Sequence, residues 1–498
     1  MSTPKSIRAP QDFARGGGRT GTSRRDFVKS GAARLMAAAI APAVLAHPAT
    51  AATQTGSAQG GRGQRTLLKG GTVLTLDRAI GDFVTADVLI EGKKIAAVGP
   101  NLKAEAQIID ASNMIVMPGF VDTHHHQYQT ILRGVVADGI LNGPRSYVSE
   151  IQGILTPVYR PEDAQVSELV ASLNQINAGV TTGVDTSQVS HTPQHTDACL
   201  DGLAKAGRRT VFAYSGGVGP GAQYPQDIRR LRKERFSSTD QLLTLALGGG
   251  VSESTWALAR EVGASIVSHV VGNPAALVAL GKAGLMGPDN EYIHCTQLNE
   301  TAWKMIADTG GKVSIATPIE MQMRHGMPPI QQALDHRIFP SLSVDVETNM
   351  AADMFTVMRS TFTLQRALVN ERILAGEQNV PPLVTCREVL EMATIQGARD
   401  CHLDSKIGTL TPGKEADIIL LRTDLINVMP LNHAAGAIVT LMDTSNVDTV
   451  FVAGTLVKRG GRLVGVDLPK LRQAVEASRD SVMARARYKL DRVGLRTT

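Results

Sequence analysis

The stretch VMPGFVDTHHHQYQTILRG, residues 116–134, runs from apolar residues through a Pro-Gly pair into three consecutive histidines. Side chains on a strand alternate between its two faces, so His124 and His126 point to one side and His125 to the other. Two imidazoles on one face can bind a single divalent ion. A proton relay and a polar accident at a strand end are the alternatives, and other parts of the chain must decide between them.

Strand-like apolar runs alternate with helical patterns along residues 118–407, outward from the histidine stretch. Eight such alternations predict a (β/α)8 TIM-like barrel, in which functional side chains lie at the carboxyl ends of the strands. The predicted barrel strands are Val116–His124, Gly179–Thr186, Thr210–Tyr214, Leu242–Leu247, Ser265–Val270, Tyr292–Cys295, Lys312–Ile315 and Leu342–Val346.

Short strand signals between Gly, Asp and Asn turns occupy residues 66–117 and again residues 408–466. The simplest interpretation is one small β-sandwich domain built from both ends of the chain, with the barrel inserted between its halves. Residues 467–498 predict a C-terminal helix packed on the barrel.

The composition fits a globular protein, because 43% of the 498 residues are hydrophobic and 19% are charged. The net charge of +5 is modest, and basic residues do not interleave with aromatic ones, which argues against a nucleic-acid-binding protein. The four cysteines form no CxxC pair, so a disulfide framework is not expected.

Residues 23–29, SRRDFVK, match the twin-arginine export pattern, and an Ala-rich stretch and a small-x-small cleavage site at residues 49–51 follow. The sequence therefore predicts an export signal over residues 1–51 and a linker over residues 52–65. The expected partner is the twin-arginine export machinery, and the expected location is the periplasm or the exterior of the cell. Arg34 and other breaks make the apolar stretch a poor permanent membrane span.

Three more polar residues end predicted barrel strands: His269 in VSHVVG, His294 in YIHC and Asp345 in SLSVDVETN. With the first-strand pair they should converge on the barrel mouth. This set of imidazoles and one carboxylate suits zinc or ferrous iron and leaves a position for water. A bound ion would lower the pKa of that water, so that hydroxide becomes available near neutral pH.

The segment PGFVDTHHH resembles PGxxDxHxH, the first-strand signature of the amidohydrolase superfamily, and residues 388–421 resemble the helix and return strand that follow its barrel. The likeness covers nearly all of the mature chain. It is strongest to the branch of cytosine, guanine and S-adenosylhomocysteine deaminases and s-triazine hydrolases. The resemblance implies four ligands to one metal ion and a catalytic role for the fourth histidine toward the attacking water or the developing charge. The implied ligands are His124, His126, His269 and Asp345, and the implied catalytic residues are Asp345 and His294.

Members of the superfamily with two metal ions carry a carboxylated lysine on the fourth strand. Here that strand reads LLTLALGG, and the third reads RTVFAYSGG, both without lysine. We therefore expect one divalent ion, zinc or alternatively iron.

One position departs from the deaminase pattern. Deaminases of this branch carry a glutamate three residues after the fifth-strand histidine, but Gly272 occupies that position here. Another carboxylate could take over its acid–base role. Glu320 and Glu347 are the candidates, Glu300 is more simply an exposed carboxylate, and Asp345 itself could serve as the base.

Loops near the predicted mouth supply the candidates for substrate contact: Gln127, Glu320, Arg324 and His325. Gln127 could recognise a ring amide, and a plain loop hydrogen bond is an equal alternative. His191 and His195 could reach the rim of the pocket.

Together these features predict a metal-dependent amidohydrolase that uses metal-activated water to hydrolyse a C–N bond of a small, nitrogen-containing, heterocyclic substrate, with deamination as one form of that reaction. The alternatives are hydrolysis of an amide, cyclic amide or carbamate without ammonia release, and a catalytically inactive barrel that binds a small ligand. A homo-oligomer is compatible with the sequence.

Overall fold

The computed structural model describes residues 65–272 and 274–494, all within one compact unit. The predicted export signal and all but the last residue of the linker lie outside the described residues. Within the described ranges, no helix has both the length and the apolar character needed to cross a membrane.

The strands in chain order are β1 (Arg65–Val73), β2 (Phe83–Glu91), β3 (Lys94–Gly99), β4 (Gln107–Asp110), β5 (Met114–Pro118), β6 (Phe120–His125), β7 (Val180–Ser187), β8 (Arg209–Tyr214), β9 (Leu243–Gly249), β10 (Ser265–Val271), β11 (Asn290–Thr296), β12 (Lys312–Ile315), β13 (Ser341–Leu342), β14 (Ile418–Arg422), β15 (Val447–Val452), β16 (Thr455–Arg459) and β17 (Arg462–Leu463).

The α-helices are α1 (Pro161–Asn177), α2 (Pro193–Ala206), α3 (Ile228–Glu234), α4 (Glu253–Glu261), α5 (Pro274–Lys282), α6 (Glu300–Asp308), α7 (Thr317–Gln322), α8 (Ile330–Asp335), α9 (Met354–Leu374), α10 (Cys386–Glu391), α11 (Gly397–Asp400), α12 (Ala434–Thr440) and α13 (Leu468–Arg485). Short 3-10 or π-helical segments cover Gln127–Leu132, Tyr147–Leu155, Thr156–Val158, Met392–Gln396 and Thr444–Asn446.

Strands β6 to β13 form an eight-stranded parallel sheet in chain order, which confirms the predicted barrel. The first and last strands meet at the predicted site. There the backbone N–H of His126 donates to the carbonyl of Asp345 at 2.8 Å, and the N–H of Asp345 donates to the carbonyl of His124 at 2.9 Å. The seam that closes the barrel therefore carries three of the predicted metal ligands.

The predicted first strand, Val116–His124, consists of two strands in the structure. Its beginning belongs to β5, which pairs with β14 outside the barrel, and its end belongs to β6. The chain passes from one sheet to the other at Gly119, where a Cβ atom would lie 2.2 Å from the side chain of Thr181. Only glycine fits this close approach.

Strands from both ends of the chain form the second sheet, of nine strands, in which β14 pairs with β5 and β4 pairs with β1. Apolar side chains from both ends share one core, including Val88, Ile109 and Ile418. The barrel is thus inserted between the two halves of this sheet.

A buried ion pair fixes the second sheet to the barrel at the end opposite the site. Arg209, at the start of β8, donates from Nε to Asp417 at 3.0 Å and from Nη2 to Glu415 at 2.6 Å. All three side chains are buried, and paired hydrogen bonds of this kind between charged groups are strong and directional.

Helix α13 lies against α1. Ser478 donates to the buried carboxylate of Asp163 at 2.7 Å, and Val482 and Met483 belong to the same core cluster as the barrel strands. The helix begins at an Asp467 cap, whose side chain accepts from the N–H of Lys470.

Candidate active site

Thr186, at the end of β7, anchors both first-strand histidines. Its hydroxyl lies 3.0 Å from Nδ1 of His124, and its carbonyl lies 3.1 Å from Nδ1 of His126. A carbonyl can only accept, so Nδ1 of His126 carries the proton and its Nε2 carries a lone pair. Metal-binding histidines are usually fixed in this way through their other ring nitrogen.

The free ring nitrogens converge. Nε2 of His126 lies 3.3 Å from Nε2 of His269 on β10, and Nε2 of His124 is buried without a hydrogen-bond partner in the described residues. Oδ1 of Asp345 lies 3.2 Å from Nε2 of His124 and 3.5 Å from Nε2 of His126. Lone pairs that face one another around a carboxylate are the arrangement that a divalent cation satisfies. These four residues therefore fit a metal ion.

The charge states also suit a cation. Burial lowers the pKa of His126 to about 3, which keeps its imidazole neutral. Burial by itself would raise the pKa of Asp345, but the surrounding imidazoles of His124, His294 and His126 hold that pKa well below its usual value. Neutral imidazoles and an ionised carboxylate are the protonation states that ligate metals.

Two residues of the site have an unusual backbone conformation. Asp345 has φ +65° and His294 has φ +71°, both in the left-handed region that non-glycine residues rarely adopt. Such strain is held by the surrounding structure and is concentrated at functional sites. Here it occurs where β11 and the chain after β13 turn into the barrel mouth.

Glu320, on α7, lies beside His294. Its Oε1 is 3.1 Å from Nδ1 of His294 and accepts from the N–H of Ala316 at 2.9 Å. Nε2 of His294 lies 3.8 Å from Oδ2 of Asp345. Burial lowers the pKa of His294, but the hydrogen bond to Glu320 and the charges nearby outweigh it and raise that pKa overall. Glu320 is thus the buried carboxylate that contacts the predicted catalytic histidine.

His325 joins the same cluster, and Arg324 does not. The ring of His325 packs edge-on against that of His294, with 4.8 Å between centroids. Burial lowers the pKa of His325 to about 4. Arg324, next to it in the chain, is exposed and has φ +59°.

Gln127 is fully buried, and its side-chain oxygen accepts from the hydroxyl of Ser172 on α1 at 2.9 Å. This hydrogen bond therefore joins Gln127 to a helix of the barrel wall and not to the histidine cluster. His191 and His195 likewise hydrogen-bond the backbone carbonyls of Thr156 and Tyr159.

The other carboxylates considered for the role of the missing glutamate lie elsewhere. Glu347 is buried and pairs with Arg133, and its Oε1 lies 3.7 Å from Nε2 of His125. Glu300 is exposed and pairs with His336 at 2.9 Å. Gly272 follows β10 with φ +66°, and a Cβ atom there would meet no atom of the described residues within 4 Å. A side chain at this position would be strained by the left-handed backbone conformation, which favours glycine.

Sequence reasoning missed Thr186. In the sequence, Thr186 is marked only by its position at the end of a predicted strand, and a threonine is common at such a position. Its role depends on the register of β7 beside β6, in which Asp185 pairs with His125.

Residues 115–457, more than half of the chain, match the amidohydrolase family. The chain belongs to the amidohydrolase family. This match confirms the family predicted from the sequence and, with it, the reaction class of C–N bond hydrolysis. This amidohydrolase is 26% identical over 455 residues to a 5'-deoxyadenosine deaminase of Methanosarcina mazei, covering 84% of this chain and 98% of that protein. It is 27% identical over 433 residues to a 5-methylthioadenosine/S-adenosylhomocysteine deaminase of Desulforudis audaxviator, covering 80% and 95%.

Solved structures share the fold. An adenosine deaminase from Xanthomonas campestris with bound zinc superposes with a TM-score of 0.73 at 20% identity, covering 84% of this amidohydrolase and 98% of that chain. An atrazine chlorohydrolase from Arthrobacter aurescens complexed with zinc gives a TM-score of 0.73 at 20% identity, covering 83% and 100%.

Proposed function

We propose that this amidohydrolase binds one catalytic zinc ion through His124, His126, His269 and Asp345 and hydrolyses a C–N bond of a small amino-heterocycle. The observation that carries the proposal is the convergence of ring nitrogens around Asp345, with Nε2 of His126 and Nε2 of His269 only 3.3 Å apart. The zinc in two structural neighbours favours zinc over iron. When bound, zinc supplies a Lewis acid and makes water more acidic.

The residues around the ion position the reactants. Glu320 accepts from Nδ1 of His294 and so directs Nε2 toward Oδ2 of Asp345, from where Nε2 could hydrogen-bond the attacking water or the charge that develops on the substrate. Asp345 Oδ2 is placed to accept a proton from that water. His325 contributes a further ring to the same space, against His294.

Deamination is the first form of the reaction that we propose, because the curated relatives deaminate 5'-deoxyadenosine and related compounds by name. The second candidate is hydrolysis of an amide, cyclic amide or carbamate without ammonia release. Gly272 favours this candidate, since the fifth-strand glutamate that returns a proton to a leaving amine is absent there, while Glu320 lies on the side of His294 away from Asp345.

One experiment separates the candidates. The purified mature protein is analysed for metal and then incubated with adenine nucleosides, other amino-heterocycles, cyclic amides and carbamates, and product mass and ammonia are measured. Ammonia with a product heavier by about one mass unit identifies deamination, since –NH2 becomes –OH. A ring-opened acid or a larger amine identifies the second candidate. Zinc-loaded protein that binds a compound tightly and converts none supports the inactive binding barrel.

We also propose that residues 1–51 direct export by the twin-arginine machinery to the periplasm or beyond, on the strength of the motif at residues 23–29. Replacement of Arg24 and Arg25 by lysine should leave the enzyme in the cytoplasm, measured by cell fractionation. Unchanged export would refute the assignment.

A further inference from the structure

A second set of ligand atoms lies beside the proposed zinc ligands. Single ligand atoms of His294, His325 and Asp345 lie within 4.8 Å of one another, and all three residues are buried. The proposed zinc ligands His124, His126 and Asp345 form another such group, and His294 also groups with His124 and His269. Asp345 lies between the first two groups, with one oxygen toward His124 and the other toward His294.

The imidazole of His325 packs against His294 but makes no hydrogen bond within the described residues. It is 4% exposed, and neither Nδ1 nor Nε2 has a hydrogen-bond partner in the part of the chain that the structure describes. A buried polar group without a hydrogen-bond partner destabilises the folded state. Because the unpaired ring nitrogens of His325 lie on the wall of the site, they indicate that a ligand binds them there.

His294 is held in the manner of a metal ligand. Its Nδ1 faces the carboxylate of Glu320, which is fixed in turn by the N–H of Ala316. A histidine that donates through one ring nitrogen to a carboxylate presents the other as a more basic ligand atom. The other oxygen of Glu320, Oε2, is buried without a hydrogen-bond partner in the described ranges.

We propose that His294, His325 and Asp345 form a second divalent-cation site whose occupation inhibits the enzyme. The inference rests on the proposed function, because Asp345 is also a ligand of the catalytic ion. Two imidazoles and one carboxylate suit zinc, and harder, oxygen-seeking cations such as calcium fit poorly. The second site is the weaker one, since its carboxylate is shared and the first ion repels the second. An ion bound there occupies the ring nitrogens of His294 and His325, so that these nitrogens can no longer contact the substrate.

Zinc titration of protein that already carries one equivalent tests the proposal. Calorimetry and metal analysis should show a second equivalent bound by the unaltered protein, and added zinc should inhibit its turnover competitively with substrate. His325→Phe keeps a flat ring of similar size without nitrogens, and this variant should retain the first equivalent and lose the second. Glu300→Gln, which alters the exposed pair with His336, is the matched control and should bind and be inhibited like the unaltered protein.

Two further measurements keep the test independent of folding. Glu320→Gln should weaken the second site by roughly tenfold or more while its circular dichroism stays unchanged, because orienting partners of metal ligands are worth 10–100-fold in affinity. Two Mn²⁺ ions loaded in place of zinc should show exchange coupling in the EPR spectrum through the shared carboxylate.

The outcomes are distinct. If the unaltered protein takes up only one equivalent, or if His325→Phe binds the second as tightly, the second site is wrong and the proposed function stands. If no first equivalent binds, the proposed function itself is wrong. Loss of the second equivalent in Glu300→Gln would assign it to an adventitious surface ion and overturn the proposal.

Discussion

Thr186→Val is the sharpest test of how the metal ligands are held. The substitution keeps the shape of the side chain and removes the hydroxyl that lies 3.0 Å from Nδ1 of His124. The backbone carbonyl that accepts from His126 remains. Only one of the two anchors is therefore lost, and the protein should still fold.

The expected magnitude follows from that single contact. A hydrogen bond of this kind contributes about 1 kcal/mol, and a ring nitrogen left buried without a partner costs about 1–3 kcal/mol. Outer partners of metal ligands typically change metal affinity by about 10–100-fold. We therefore expect the affinity for zinc to decrease by about 10–100-fold, and kcat to change little when zinc is saturating.

Competition with a chromophoric chelator measures the zinc affinity directly. Thr182→Val is the matched control, because Thr182 is a fully buried threonine on the same strand whose hydroxyl faces Asp417 and not the site. If Thr186→Val binds zinc as tightly as the unaltered protein, or if Thr182→Val loses as much affinity, the proposed anchoring is refuted.

Three other predictions address the metal and the folded state. Asp345→Asn should lose metal and activity, because the carboxylate lies within 3.5 Å of both first-strand histidines; full activity with bound metal would contradict the mechanism. Chelation should lower the thermal midpoint, since a ligand at 100 times its Kd stabilises the native state by about 2.7 kcal/mol; an unchanged midpoint in a calorimetric scan would argue against an ion in the folded protein. Burial lowers the pKa of Lys458 to about 8, whereas the unfolded lysine keeps its proton to about 10.4. Between these two pKa values the unfolded chain therefore binds more protons than the folded protein, and the free energy of unfolding should rise with pH. The rise should be less steep in Lys458→Met. If urea unfolding gives the same slope against pH for both proteins, the lysine does not contribute.

The sequence predicted the barrel and the family because the relevant signals are local. Apolar runs mark the strands, and the alternation with helices marks a parallel sheet whose strand ends share one edge. His124, His126, His269, His294 and Asp345 all follow directly from that rule, and the structure brings all five together.

The ends of two predicted barrel strands differ from those in the structure, because the sequence pattern there does not mark where a strand begins or ends. The run from Val116 to His124 is continuous in sequence, but Gly119 divides it between two sheets, because the division depends on the close approach of Thr181. The predicted last strand, Leu342–Val346, is likewise shorter in the structure. Beyond Leu342 the pairing continues through the N–H of Ser343, which donates to the carbonyl of Ile315 at 3.0 Å, and through an isolated bridge between His125 and Asp345.

Only the tertiary structure decided what surrounds the cluster. The contact of Glu320 with His294 joins residues 26 positions apart, and it depends on the path of the loop after β12. The same loop buries His325 beside His294 and leaves its neighbour Arg324 exposed. Gln127 follows the histidines directly, yet its side chain turns to Ser172. Periodicity fixes which face of a strand a residue occupies, but the direction of a loop side chain is set by the elements that pack against it.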